Sequence, residues 1–282
     1  MKRSGHLPMA SLAYQNPVFT ESLPARPLRI LAEYIDPLNR LRRAKVGDTI
    51  VMFGSARIKS RDQALADLRR IKRESRGRRT REWHGKIRTA QSHLGMSRYY
   101  EDARELSRRI TAWAMTLGVH PRRFVICSGG GPGIMEAANR GASEAKGLNV
   151  GLTISIPVEE FDNPYVTREL GFHFHYFFMR KFWFAYLAKA VIVFPGGFGT
   201  LDELFEVMTL RQTRKMRKHL AIVLFGTQYW EEVVNFEALI QHGMIDRADL
   251  QLFHRTDSVD EAFEIVTRHL AEFALAERGA IL

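Results

Sequence analysis

Glu203 is the side chain best placed for chemistry, because it lies one helical turn after a glycine-rich turn. The sequence Pro-Gly-Gly-Phe-Gly-Thr-Leu-Asp-Glu at residues 195–203 follows the apolar run 191–194. Glycines let a backbone approach an anion closely, and the free N–H groups of a helix N-terminus favour negative charge. The spacing therefore predicts a phosphate site with a carboxylate beside it.

Thr200 and Glu203 also have the spacing of a helix capping box. In that motif each side chain accepts a hydrogen bond from the other residue's backbone N–H. A cap alone does not need the glycines, because each of them costs conformational entropy on folding. We therefore favour a functional role for Glu203, with capping as the alternative.

Three apolar runs lead into glycine-containing turns and predict three strands. They are residues 49–53 before Gly54, 124–127 before the turn 128–133, and 191–194 before the turn described above. Helical apolar spacing follows the last two turns. Such repetition predicts an α/β fold with a parallel sheet whose strand ends line one ligand crevice. Neither G-x-G-x-x-G nor a P-loop is present, so neither NAD binding nor ATP hydrolysis is indicated.

These motifs resemble those of the LOG ("lonely guy") family, often labelled lysine-decarboxylase-like. Residues 195–203 match its PGGxGTxxE motif, Arg180 and Lys181 resemble its Arg-Lys pair, and residues 129–136 resemble its first glycine loop. The resemblance covers roughly residues 50–230. It implies a Rossmann-like fold, with a doubly wound parallel sheet and helices on both faces, and usually a homodimer.

The resemblance also implies an activity. Members hydrolyse the N-glycosidic bond of nucleoside 5′-monophosphates to free base and ribose 5-phosphate, with no metal or organic cofactor expected. One departure is that the usual Met-His-x-Arg-Lys reads Phe-Phe-Met-Arg-Lys at residues 177–181. This resembles the longer bacterial members and leaves the substrate open between AMP-like nucleotides and cytokinin riboside monophosphates.

Arg180 and Glu203 are the predicted catalytic residues. Departure of the base leaves an oxocarbenium-like ribose, which a carboxylate can stabilise while it orients water or attacks as a nucleophile. By the resemblance, Arg180 positions the phosphate or Glu203 through bidentate hydrogen bonds. A structural ion pair is the alternative for Arg180. No side chain stands out in the sequence as the acid that protonates the leaving base.

Substrate or phosphate binding is assigned to the glycine turns and their neighbours. The residues are Gly54, Ser55, Gly129, Gly130, Gly131, Met135, Lys181, Gly196, Gly197, Gly199, Thr200 and Thr209. Glu159 and Glu160 are weaker candidates for contacts to the ribose or base. His173 and His175 are interpreted as structural, because no further Cys or His supplies metal-ligand spacing. No metal site is predicted.

Composition permits one or two domains with a sizeable core, since 45% of the 282 residues are hydrophobic. The single cysteine, Cys127, lies in an apolar run, excludes intramolecular disulfides and is consistent with a reducing compartment. No signal-like apolar stretch opens the chain, and charges interrupt its richest aromatic run. A cytoplasmic protein without a membrane span is therefore predicted.

The positive charge is concentrated in residues 57–90, which hold thirteen Lys or Arg against four Asp or Glu. We predict an irregular N-terminal extension over residues 1–45 and a Rossmann-like LOG domain over 46–282. The domain contains a basic insertion at about 58–97, before a helix that begins near Tyr99, and it ends in a helical tail. A solvated surface and an anionic partner, such as nucleic acid or a regulatory nucleotide, both account for the insertion.

Three functions remain at this level. The phosphoribohydrolase is favoured, and a non-catalytic nucleotide or nucleic-acid binding protein is the alternative. Glu203 distinguishes the two, because a pure anion binder gains nothing from a carboxylate beside the phosphate. The decarboxylase of the family's older label would need a lysine Schiff base to pyridoxal phosphate, and the sequence sets out no such site.

Overall fold

A computed structural model describes residues 11–74, 80–118, 122–156 and 163–275 of the chain. Within these ranges the strands are β1 (Thr49–Phe53), β2 (Val125–Ser128), β3 (Asn149–Ile154), β4 (Gly171–Phe174), β5 (Ala188–Val193), β6 (Ala221–Phe225) and β7 (His254–Thr256). They form one sheet in the order β4-β3-β2-β1-β5-β6-β7, and every neighbouring pair is parallel.

Helices connect these strands. The α-helices of the described ranges are α1 (Pro17–Thr20), α2 (Arg26–Arg43), α3 (Arg61–Glu74), α4 (Arg81–Thr116), α5 (Ile134–Glu144), α6 (Phe177–Leu187), α7 (Phe198–Gln212), α8 (Thr227–Val233), α9 (Phe236–Gln241) and α10 (Val259–His269). Short 3₁₀ turns cover Ala13–Gln15, Arg168–Leu170 and Arg247–Leu252, and a π-helical turn covers Leu270–Ala274. No helix in the described part of the chain is long and apolar enough to cross a membrane.

The sheet is buried on both faces, because side chains alternate along each strand. On β1, Ile50 and Met52 belong to the core shared with helices α4, α5 and α10. Val51 and Phe53 belong to the opposite core, shared with helices α2, α6 and α7. The predicted α/β fold, a Rossmann-like doubly wound parallel sheet with helices on both faces, is confirmed.

The strand order reverses between β1 and β5, and this reversal fixes where a ligand can enter. Strands β2, β3 and β4 follow on one side of β1, whereas β5, β6 and β7 follow on the other. The connections after β1 and β5 leave the sheet toward opposite faces, so a crevice opens between them at the carboxyl ends of the strands. Two of the predicted glycine turns, those after β1 and β5, flank this crevice.

The N-terminal region differs from the irregular extension that its prolines predict. Residues 26–43 form the 18-residue helix α2. Pro27 lies in the first helical turn, where no N–H is needed, and Pro37 is accommodated inside the helix. Prolines at these positions therefore did not prevent a helix. Helix α2 packs against α6 and the 3₁₀ turn before β4, so it belongs to the body of the domain.

The basic insertion is helical over most of its described length. Helix α4 begins at Arg81, capped by Thr80, and runs without interruption through the position where a separate helix was expected near Tyr99. It packs against α3, α5 and α10. Exposed arginines without a described ion pair are Arg57, Arg61, Arg69, Arg73, Arg81 and Arg88. Residues 75–79 lie outside the described ranges, and an anionic partner for this surface stays a prediction.

Candidate functional site

A cavity of about 730 Å³ lies in the crevice at the strand-order reversal. The connection after β1 forms one wall and the turn after β5 forms the wall beside it. Two further walls come from helix α4 and from the start of helix α8. Glu203 and Arg180 both line this cavity, as the sequence predicted for residues of one site.

The turn after β5 ends in a helix N-terminus that faces the cavity. Gly197 is the N-cap of α7, and its carbonyl accepts hydrogen bonds from Thr200 N and Leu201 N at 3.0 Å each. Thr200 therefore lies inside the first turn, and the capping box between Thr200 and Glu203 is not formed. The capping alternative is wrong because the extended Gly197 starts the helix before Thr200.

Glu203 is freed from capping and turns toward helix α6, where it meets two cations. Its carboxylate is 3.4 Å from Arg180 Nη2 and 3.3 Å from Lys181 Nζ. Lys181 Nζ also lies 2.8 Å from carboxylate oxygens of Asp202 and Glu206. Only 5% of the Glu203 side chain is exposed, so its charge depends on these neighbours.

Burial and the ion pairs shift the pKa values of Glu203, Arg180 and Lys181 in opposite directions. Burial raises the pKa of Glu203, while the charges of Lys181 and Arg180 lower it, and the net shift is upward. For Arg180, burial lowers the pKa and the negative charge of Glu203 raises it, and the net shift is downward. For Lys181, burial acts downward, but hydrogen bonds to Asp202 and Glu206 raise its pKa to about 12. Lys181 is thus a positive charge that opposes the effect of burial and favours the ionised form of Glu203.

Arg180 retains capacity to bind an anion. Its Nε is buried and has no hydrogen-bond partner among the described residues. Its guanidinium lies 5.3 Å from the ring centroid of Phe177 and 5.5 Å from that of Phe184, so aromatic faces replace water around it. A desolvated guanidinium with an unused N–H is suited to a charged ligand in the cavity.

Helix α6, which carries Arg180 and Lys181, is held at both ends. At its N-terminus, the Glu33 carboxylate accepts hydrogen bonds from His175 N at 2.7 Å and Tyr176 N at 3.2 Å. At its C-terminus, Lys218 Nζ donates to the carbonyls of Ala185 at 2.6 Å and Tyr186 at 2.9 Å. An acidic group at the start and a cation at the end both match the helix dipole. The cationic pair is therefore presented on a fixed helix.

The two glycine turns differ in what their glycines do. At Gly133, φ is +69°, and a Cβ would lie 2.3 Å from the Ser55 carbonyl oxygen. At Gly54, a Cβ would lie 2.6 Å from the Ile134 side chain. These glycines let helix α5 pack directly on the connection after β1. Gly133 in the first glycine turn, which follows β2 (residues 128–133), and Gly54 after β1 thus serve packing of the protein against itself.

Gly197 and Gly199 lie in the second glycine turn, which follows β5, and neither packing nor backbone conformation requires glycine at these two positions. An added Cβ at either position meets no described atom within 4 Å, and neither glycine has a positive φ. Both line the cavity. Gly196, in contrast, is packed against Thr200. The open space beside Gly197 and Gly199 is where a phosphate could approach the N-terminus of α7.

Most of the predicted binding residues line one cavity. They are Gly54, Ser55, Gly129, Met135, Gly196, Gly197, Gly199 and Thr200. Lys181 acts through its contact with Glu203 rather than as part of the wall. Gly130 lies behind the wall, because its N–H donates to Ser128 Oγ and its Cα packs toward β3. Gly131 also lies outside the lining residues.

Thr209 does not reach the predicted crevice. It is exposed and borders a shallow groove on the outer side of α7 with Phe205. Its carbonyl accepts a hydrogen bond from Thr213 Oγ1. Two turns of helix carry Thr209 away from the cavity, so its assignment to phosphate binding is not supported by its position. Glu159 and Glu160 lie outside the described residues.

The structure adds cavity residues that the sequence did not single out. Tyr229 at the start of α8 donates from its hydroxyl to the Gly196 carbonyl at 2.7 Å and so holds the second turn. Arg57 and His93 line the cavity from the insertion side. Sequence motifs did not identify Arg57 and His93 as site residues. In a segment rich in charged residues, such side chains cannot be distinguished from ordinary solvent-exposed ones. Only the packing of α4 beside the crevice shows that the insertion reaches the cavity.

His173 and His175 have local roles. His173 Nδ1 lies 2.9 Å from Thr153 Oγ1, and the backbone of His175 donates to Glu33. Among the residues that the structure describes, no group of three or more His, Cys, Asp or Glu side chains is arranged to hold a metal ion.

A family comparison supports the resemblance seen in the motifs. Residues 135–266 match the family model described as "Possible lysine decarboxylase". This range contains Arg180, Lys181 and Glu203, and the resemblance to the LOG family is confirmed. None of the curated proteins compared with the chain matches it.

Solved structures with a similar course of the chain have low sequence identity. The X-ray structure of TM1055 is 20% identical, with 78% of this chain and 99% of that chain covered and a TM-score of 0.45. A molybdenum cofactor binding protein from Rippkaea orientalis is 15% identical, with 79% and 94% covered and a TM-score of 0.43. A Moco carrier protein from Chlamydomonas reinhardtii is 19% identical, with 80% and 99% covered and a TM-score of 0.44.

Alanine substitution should distinguish glycines that the fold requires, such as Gly133, from glycines that leave room for a ligand, such as Gly199. We expect Gly133→Ala to lower the free energy of unfolding by at least about 2 kcal/mol, because a Cβ there is both strained and overpacked. Gly199→Ala should unfold at the same or a higher temperature but bind phosphate or a nucleotide about tenfold more weakly, through steric exclusion of the anion. Thermal unfolding and calorimetric titration measure the two effects. A Gly199→Ala protein with unchanged binding would contradict the assignment of this turn.

Removal of the Lys181 charge should raise the pKa of Glu203. A carboxylate that loses a cation at 3.3 Å is less favoured in its charged form, and a shift of about one unit upward is expected. Carboxyl ¹³C chemical shifts of labelled glutamate in Lys181→Met protein would measure it, with Glu203→Gln used for assignment. Lys86→Met removes an exposed partner of Glu82 and serves as control. An unchanged Glu203 titration would show that Lys181 does not stabilise the charge.

Proposed function

Since residues 135–266 carry the domain of the lysine-decarboxylase-like (LOG) family, we propose that this protein is a phosphoribohydrolase. It hydrolyses the N-glycosidic bond of nucleoside 5′-monophosphates, AMP-like or cytokinin riboside monophosphates, to free base and ribose 5-phosphate. The observation that carries the proposal is a buried carboxylate, Glu203, that lines the same cavity as the open glycine turn.

Each part of the substrate has a matching group in the cavity. The phosphate binds at the N-terminus of α7, where Gly197 and Gly199 leave room and backbone N–H groups face the anion. Arg180 lines the cavity and contributes guanidinium N–H groups to the phosphate or the ribose. Apolar side chains such as Met96 and Met135 supply a surface for the base.

Glu203 stabilises the transition state. As the bond between C1′ and the base breaks, positive charge develops on the ribose ring, and a carboxylate in a low-dielectric site stabilises that charge strongly. The same carboxylate orients the water that adds to C1′ and accepts its proton. The positive charges of Arg180 and Lys181 favour the ionised form of Glu203, and their contacts fix the direction of its carboxylate.

The decarboxylase of the family label does not fit these residues. Pyridoxal chemistry requires a lysine that can form a Schiff base. No lysine is among the described residues that line the cavity. Lys181 lies nearby, but three carboxylates surround its ammonium group and its pKa is raised rather than lowered.

Turnover should depend on Glu203. We expect Glu203→Gln to reduce base release by at least about a hundredfold while nucleotide binding persists, and Arg180→Ala to weaken both. The assay measures free base and ribose 5-phosphate from AMP, GMP, IMP, CMP, UMP and an N6-prenylated AMP. Glu206→Gln, on the same helix and half-exposed, should keep most of its turnover.

Two results would count against the hydrolase. Full turnover by Glu203→Gln would remove the proposed role of the carboxylate. A wild-type protein that binds nucleotides but releases no base from any of them would instead favour the non-catalytic nucleotide-binding alternative.

We also propose that the protein is a homodimer, as the resemblance implies. Exposed aromatic side chains lie on α6 and α7, and Lys181 links the two helices. They are Phe177, Phe178, Phe182, Tyr186, Phe198 and Phe205, with Phe198 93% exposed. Exposed apolar patches of this kind mark contact surfaces. Phe198 lies both at the cavity and in the groove on α7, so a partner subunit seated there would border the site.

A charge placed in this aromatic patch should disrupt the dimer. Sedimentation equilibrium is expected to give the mass of two chains for the wild type and of one chain for Phe205→Glu, because burial of the carboxylate in an apolar contact is costly. Met115→Glu alters an exposed apolar residue on α4, over the opposite face of the sheet, and should remain dimeric. A monomeric wild type, or a dimeric Phe205→Glu, would refute this interface.

A further inference from the structure

The insertion contributes one wall of the cavity, outside the range that the family model matches. Arg57 and Ile58 follow strand β1, and His93 and Met96 lie one turn apart on helix α4. All four line the cavity together with Arg180 and Glu203. Helix α4 is held in this position by its contacts with α3, α5 and α10. These residues are therefore part of the site, although no family motif includes them.

The proposed reaction still needs a proton for the departing base. A purine leaves far more readily once a ring nitrogen has been protonated, so an acid near the base lowers the barrier. The titratable side chains among the described cavity-lining residues are Arg57, His93, Arg180, Glu203 and Tyr229. One of these is expected to supply the proton unless water does so.

Four of the five are unsuited to that role. A guanidinium cannot release its proton in a protein, which removes Arg57 and Arg180. Glu203 must be a carboxylate to stabilise the ribose cation. Tyr229 already donates its hydroxyl proton to the Gly196 carbonyl, and burial raises its pKa. His93 is left, and histidine is the side chain that exchanges protons most readily near neutral pH.

We propose that His93 is the general acid of the reaction, an inference that rests on the proposed hydrolase function. Its imidazolium gives a proton to a ring nitrogen of the base as the bond from C1′ breaks and its electron pair passes to the base. Water adds to C1′, and its proton passes to Glu203. That proton then returns to solvent, and His93, which is half-exposed, takes one up from solvent for the next turnover.

A methylated leaving group tests this role directly. In a nucleotide methylated at N7, the base is already positively charged and departs without protonation. His93→Gln should therefore slow hydrolysis of the purine monophosphate that the wild type prefers, among AMP, GMP and IMP, by about a hundredfold. The N7-methylated form of the same nucleotide should be hydrolysed at nearly the wild-type rate. Equal binding of the unmethylated nucleotide by the wild type and by His93→Gln in calorimetry would show that the cavity is intact.

His84→Gln is the matched control, because His84 is on the same helix, is exposed and does not line the cavity. It should hydrolyse both substrates as the wild type does. A His93→Gln protein that loses the same factor with both nucleotides would overturn the proposal and assign His93 to binding. A protein unaffected with both would overturn it as well. Wild-type protein that releases no base from AMP, GMP, IMP, N6-prenylated AMP or the N7-methylated nucleotide would refute the hydrolase itself, a result distinct from the other two.

Discussion

Burial of the Glu203 carboxylate is costly unless cations accompany it, and one helix supplies both of them. Arg180 and Lys181 approach the two carboxylate oxygens from α6, and burial nonetheless raises the pKa of Glu203. The position of α6 is therefore critical, since a displaced cation would leave a buried charge unpaired. Glu33 at the start of α6 and Lys218 at its end hold it in place. The N-terminal helix α2 thus supports the site from outside the family domain.

The two glycine turns have different roles at the same edge of the sheet: the first allows close packing of a helix, and the second leaves space for a ligand. In the first turn, Gly133 allows helix α5 to touch the connection after β1, and an added Cβ would collide with the backbone. In the second turn, Gly197 and Gly199 leave space that no described part of the protein fills. A ligand can therefore use the second turn without competing against the packing of the fold. Strands β2, β1 and β5 lie side by side in the parallel sheet, so both turns are at the same edge, around the crevice at the strand-order reversal.

The residues that line the cavity come both from the range that the family model matches and from the insertion. Residues 135–266 supply Glu203 and the two cations that favour its charged form, an arrangement that suits stabilisation of a cationic ribose. The insertion supplies His93 and Arg57 on the facing wall. Because α4 extends from the packed core to the cavity, the basic insertion is not a separate arm. It is part of the enclosure in which a substrate would bind.

The sequence by itself determined three of the seven described strands, the glycine turns that follow them and the helix that carries Glu203. Apolar spacing and glycine content predict these elements because they reflect local burial and backbone freedom. The resemblance to the family's Arg-Lys pair also predicted Arg180 as a site residue. Tertiary structure alone decided that Glu203 meets α6 instead of capping its own helix, that Thr209 faces away, and that His93 lines the cavity. Contacts between segments far apart in sequence depend on strand order and helix packing, which no local pattern encodes.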